Sequence, residues 1–161
     1  IATFGLSKIE VKKTSALDAE YKTLGMTYQD SCTLTQNDPE VTDHYAEESE
    51  VPVVSVSKSG KVMLSFSIMD ADADTLTELM GGTKDAETGA WNAPDTAPIV
   101  ELSIRVTPKS GLQIEIPPAS VHAKMSGGFS RSGMFIVTVT ATVLKAEGKA
   151  RIIARPKSAE E

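Results

Sequence analysis

The chain has 161 residues, 40% hydrophobic, 24% charged and 5% aromatic, with a net charge of −6. That size and balance suit one folded domain and argue against wholesale disorder. Acidic excess, scattered basic residues and few aromatics argue against a protein that grips nucleic acid by charge or by base stacking.

In chain order, the first strand signal is "SKIEVKK", Ser7 to Lys13, followed by "SCTLTQ", Ser31 to Gln36. Cys32 is the only cysteine, so it forms no internal disulfide. Within a strand it reads as a small buried hydrophobe in a reducing compartment. The run "QNDPEVTDHYAEESE", Gln36 to Glu50, carries Asp38, Glu40, Asp43, Glu47, Glu48 and Glu50 and no Lys or Arg. It lacks the periodicity of an element and reads as a long loop over 36–50, of the kind that often carries function.

A further short strand is expected at "VPVVSVSK", and after it comes the clearest alternation, "KVMLSFSIMD". Val62, Leu64, Phe66 and Ile68 fall on one face, and Met63, Ser65, Ser67 and Met69 on the other. "DADTLTELMGG" breaks the pattern: Leu76, Leu79 and Met80 have helical spacing, and Gly81-Gly82 supplies a stop. A polar loop containing Trp91, Pro94 and Pro98 comes next. Alternation then returns in "IVELSIRV", "GLQIEIPP", "ASVHAKMS" and "GMFIVTVTATVLKA". In the last of these Phe135, Val137, Val139, Ala141 and Val143 oppose Ile136, Thr138, Thr140 and Thr142. A final strand is expected near Arg151–Ala154.

Turn signals at Lys58–Gly60, Pro108–Gly111 and Gly127–Gly133 separate these strands. The pattern predicts an all-β, mainly antiparallel sandwich or barrel of roughly eight to ten strands with one short flanking helix. One domain is expected over 1–161, with flexible termini at about 1–5 and 156–161. No apolar run approaches the roughly 18–20 residues that cross a bilayer, and no signal-peptide pattern opens the sequence, so no membrane partner is expected.

Asp70, Asp72 and Asp74 are spaced like the opening of a calcium loop. Such a loop begun at Asp70 needs Gly at its sixth position and Glu at its twelfth, and the sequence offers Thr75 and Gly81. Capping of the helix by Asp70 and Asp72 is the simpler reading. His44 and His122 lack zinc-ligand spacing, Cys32 has no activating histidine nearby, and "SGGFSRSG" lacks a phosphate-binding lysine. No catalytic, metal-binding or cofactor-binding set emerges, and the chain is expected not to be an enzyme.

The order of features does carry a resemblance. A polar "NDPEVTDHYAEESEVP" precedes "GKVMLSFSIMD", then the acid-started helix, then "GAWNAP", then "PIVELSIRVTPKSGLQIEIPPASVHAKMSGGFSRSGMFIVTVTATVLKA". Over roughly Thr23 to Lys145 this resembles the tail tube (major tail) proteins of long-tailed bacteriophages and prophages. The resemblance implies a β-domain that assembles into hexameric rings stacked as a tube, meeting other tail proteins and passing DNA through its lumen without specific binding. It implies a place in the virion tail, after assembly from the host cytoplasm.

The resemblance makes Asn37, Asp38, Glu40, Asp43, His44, Tyr45, Glu47 and Glu48 candidates for contact with an adjacent subunit or ring. The mixed strand faces Met63, Ser65, Ser67, Met69 and Ile136, Thr138, Thr140, Thr142 become candidates for the lumen or an interface. The rival readings are a tube protein of a contractile injection or type VI-like apparatus, and a β-sandwich module that binds a ligand or carbohydrate.

Overall fold

The computed structural model describes residues 2–13, 21–96, 98–145, 148 and 150–157. Its strands are β1 (Lys8–Lys13), β2 (Lys22–Thr23), β3 (Thr33–Gln36), β4 (Glu40–His44), β5 (Val54–Lys58), β6 (Val62–Ile68), β7 (Thr83–Lys84), β8 (Trp91–Asn92), β9 (Val100–Thr107), β10 (Leu112–Gly127), β11 (Phe135–Val143) and β12 (Ile153–Pro156). Helix α1 (Ala73–Met80) is the only helix among the described residues. The fold is thus mainly β with one short helix, and every strand pair among these residues is antiparallel.

The main sheet runs β2-β1-β9-β10-β11-β6-β3, with β12 pairing the first part of β10. Beyond β2, Thr27 bridges Ile68 at the end of β6, and Tyr28 N–H donates to the Ser67 carbonyl at 2.8 Å. The run from β2 to Tyr28 therefore touches β1 on one side and β6 on the other, curling the sheet toward a barrel. Closing a sheet in this way removes edges that would otherwise pair at random.

The register explains the clarity of the alternation. Phe66 lies opposite Val139, Leu64 opposite Ala141, Ala141 opposite Val121 and Ile116 opposite Ile104. All of these residues are buried on one face, together with Ile9, Val11, Leu102 and Ile68. Leu79 of α1 is buried in the same cluster, with Leu76 and Met80 packed against it. β-Branched and aromatic residues on a half-buried pleat are what this arrangement favours.

Three sequence expectations are corrected. The run 36–50 is not a structureless loop: Glu40–His44 forms β4 against β5, which mixed polar and apolar positions conceal. "GLQIEIPP" and "ASVHAKMS" belong to one 16-residue strand, β10, whose register against β9 shifts between Ile116 and Ala119. Pro117 and Pro118 sit at this irregularity, where prolines are tolerated because the ladder is already interrupted. The Trp91 loop contains the small β7–β8 hairpin.

Of the expected flexible termini, residue 1 and residues 158–161 lie outside the described residues. Inside them, Phe4 pairs with Ser110 and Pro156 pairs with Leu112, so strand pairing reaches both described ends.

Candidate assembly surfaces

β3 leads directly into β4, and β5 into β6, so β4–β5 prolongs the β3–β6 pair as a two-stranded arm that forms its own separate sheet. At the neck, Asn37 N–H donates to the Lys61 carbonyl at 2.9 Å. Gly60 sits so close to the Asn37 carbonyl oxygen that a Cβ there would overlap it.

Along the arm Glu40 faces Lys58, Thr42 faces Val56 and His44 faces Val54, while Val41 and Asp43 point to the opposite face with Ser57 and Ser55. Ser55 Oγ donates to the Asp43 carboxylate. Val41, Tyr45, Val51, Val53, Val54 and Val56 are all more than half exposed. An isolated two-stranded ribbon is marginal in water, and exposed apolar side chains on both of its faces favour burial against a partner. Of the candidate contact residues, Glu40, Asp43 and His44 lie on β4, Tyr45, Glu47 and Glu48 at the tip, and Asn37 and Asp38 at the neck, all exposed.

A second surface is the outer face of β10, β11, β6 and β3. Across it Ser120, Thr142, Met63 and Thr35 align in one row, and His122, Thr140, Ser65 and Thr33 in the next. Lys124, Thr138 and Ser67 form a third, in which Ser67 and Thr138 hydroxyls approach to 3.3 Å. Ser126 is paired with Ile136, and Met69 comes just after β6. Thus the two candidate faces named from the sequence are neighbouring parts of one surface, rich in hydroxyls and free of carboxylates over these rows.

The third is an open groove of about 1160 Å³. Phe4, Met26, Tyr28, Leu34 and Leu112 line it and are themselves exposed, while Leu64, Ile114 and Ile116 lie deeper. Lys8, Lys109 and Asp30 also line it, and Lys157 Nζ donates to the Lys109 carbonyl at 3.4 Å. Nothing in the sequence pattern announces this groove, because its walls come from segments distant along the chain. Cys32 lines it too, and burial raises the pKa of its thiol.

The three aspartates have separate tasks. Asp72 is the helix N-cap, its Oδ1 accepting from Thr75 N–H at 2.9 Å, which holds its carboxyl below the usual range. Asp74 pairs with Lys84 at 3.1 Å. Asp70 does not cap the helix: its Oδ1 accepts from Met26 N–H at 2.6 Å. It is too far before α1 to meet the first helical amides, and instead ties the post-β2 segment to the end of β6. Gly81 ends α1 in the left-handed region, φ 76°, with its N–H on the Thr77 carbonyl. Trp91 is half-buried and donates from Nε1 to the Gly81 carbonyl at 2.9 Å, so its ring braces the helix end.

On the outer side of β1, β9 and β10, Arg105 grips Glu10 at 3.0 Å and stacks under the Tyr21 ring, 4.3 Å from its centroid. Tyr21 O–H donates to Glu115 at 2.8 Å, and Arg155 of β12 meets the other Glu115 oxygen at 2.9 Å. Burial, then the bond to Glu115, raises the Tyr21 pKa well above its ordinary value. The cluster pins β12 and the post-β1 chain to the sheet, and its polar groups are spent on one another.

No family description and no curated protein matches this chain. A solved structure described as the tail of an empty GTA particle with C6 symmetry is similar to it at 15% identity, covering 94% of this chain and 95% of that chain, with a TM-score of 0.47. That overlap is too loose to decide fold or function, and both rest on the chain's own geometry and sequence. No helix among the described residues is long and apolar enough to cross a membrane.

Proposed function

We propose that this chain is a structural, non-catalytic subunit of a phage or prophage-type tail tube, which self-assembles into hexameric rings that stack around a lumen for DNA. The observation that carries the reading is the β4–β5 arm, whose six exposed apolar residues have no partner element among the described residues. Such an arm is built to be buried by another copy. The order of sequence features over roughly Thr23–Lys145 supports the tail-tube class in particular. The hydroxyl face of β10, β11, β6 and β3 suits a lumen wall, since DNA adheres chiefly to Lys and Arg and Lys124 is the one such residue in its three rows. Other tail proteins are the further partners in this reading, and the virion its location.

A second reading, a β-sandwich module that binds an apolar ligand, is favoured by the groove between Phe4 and Leu34 alone. Negative-stain electron microscopy of the concentrated protein separates the two. Six-fold rings or tubes are the expected result, and they should vanish when residues 40–58 are replaced by a short turn. A protein that stays monomeric at every concentration and salt tested, and retains an apolar ligand instead, overturns the tail-tube reading.

A further inference from the structure

Three apolar surfaces remain unpartnered among the described residues: the arm, the groove rim, and the tip of the β10–β11 hairpin. At that tip Phe129 is 92% exposed and stacks on Phe135. Charge sorts them. The arm tip carries Glu47, Glu48 and Glu50 with no Lys or Arg between Gln36 and Lys58. The end of the groove beside Phe4 and Leu112 is flanked by Lys109 and Lys157, neither with a carboxylate partner among the described residues, while Asp30 and Asp70 lie at its other end, beside Met26. The β10–β11 tip instead bears Arg131 and lies beyond Lys124, so its charge matches the groove poorly.

We infer that the acidic tip and valine-lined end of the β4–β5 arm of one copy seat in the Phe4–Met26–Tyr28–Leu34–Leu112 groove of a second copy. The inference rests on the self-assembly reading and adds the receiving site. Apolar side chains at the arm's end, Val51, Val53 and Val54, cover the exposed groove rim, while Glu47, Glu48 and Glu50 face Lys109 and Lys157. Desolvated apolar contact supplies the affinity, and the charges set direction and register. Donor and receiver are different patches of the same chain. Repeated in one direction from copy to copy, the contact is head-to-tail and closes into a ring, as the self-assembly reading requires.

The test places Val53→Cys on one copy and Leu112→Cys on another, both in a Cys32→Ala background, and oxidises the mixture. A disulfide-linked heterodimer is expected, and Phe129→Cys mixed with Leu112→Cys should give none. Independently, Lys109→Glu with Lys157→Glu should raise the concentration needed for assembly by about tenfold, as two lost charge pairs imply. Adding Glu47→Lys, Glu48→Lys and Glu50→Lys to the same chain should restore it. Should the reversed chains unfold, the cysteine pair still tests the contact, since it alters no charge.

Linking through Phe129 in place of Val53, or charge reversal without rescue, overturns the inference. Tubes that form without the Val53–Leu112 link would leave the tail-tube reading standing and remove this docking. A link that forms in a sample giving only short chains of subunits, with no rings or tubes, would do the reverse.

Discussion

Two side chains in the acid-rich stretch after β6 show how position divides identical chemistry. Asp72 accepts from the Thr75 amide and caps α1, whereas Asp70 reaches the Met26 amide across the barrel seam. Asp72→Ala is expected to lower unfolding stability by about 1 kcal/mol. Because the Asp72 carboxyl is held low by that N–H, its contribution is full above the unfolded value of about 3.9 and fades as pH falls through the folded value. The gap between wild type and Asp72→Ala in urea melts should therefore close on the acid side. Asp70→Ala should leave the helix intact and speed hydrogen exchange at the Met26 amide. Tyr21 works in the opposite direction: burial and its bond to Glu115 raise its pKa. Its contribution is full below the ordinary tyrosine value of about 10 and is lost as pH rises toward the folded one. In an alkaline absorbance titration one of the three tyrosines should ionise late, and Tyr21→Phe should remove that late phase while costing about 1 kcal/mol.

At the scale of elements, the neck of the arm is the sharpest constraint. Gly60 lies against the Asn37 carbonyl, so Gly60→Ala must spread the strands where the arm leaves the barrel. The expected outcome is a folded subunit with an unchanged core, since β4 and β5 pair only with each other among the described strands, but with assembly lost. Circular dichroism together with sedimentation would show the two effects separately. Strands that bury one face, such as β6, β9 and β11, are legible in the sequence because period two survives wherever a core sets the register. β4 is not, because both of its faces are exposed in the subunit and no core sorts its residues, whereas β5 lies within the "VPVVSVSK" strand signal. The same cause hides the groove. Its rim joins Phe4, Met26, Leu34 and Leu112 from four separate segments, and only the curl of the sheet brings them together. Asp70 looks like a cap in the sequence because its true partner, Met26, lies 44 residues away.

For the whole molecule, the hydroxyl face poses a question that the subunit's stability does not depend on. Thr140 sits mid-row between His122 and Ser65, on the side of the sheet away from Phe66 and Val139. A face that lined the lumen would stay wet in the tube, while one that met another subunit would be dry. Thr140→Cys in the Cys32→Ala background should separate these outcomes, because half-buried Thr140 is replaced by a side chain of similar size. In free subunits a small maleimide and a large polymer-linked maleimide should both react. In assembled tubes the tail-tube reading predicts continued reaction with the small reagent, which diffuses along the lumen, and protection from the large one, which does not enter. Protection from both would place the face in a subunit interface. Reaction with both would put it on the outside of the assembly, leaving the DNA path to be formed by another part of the chain.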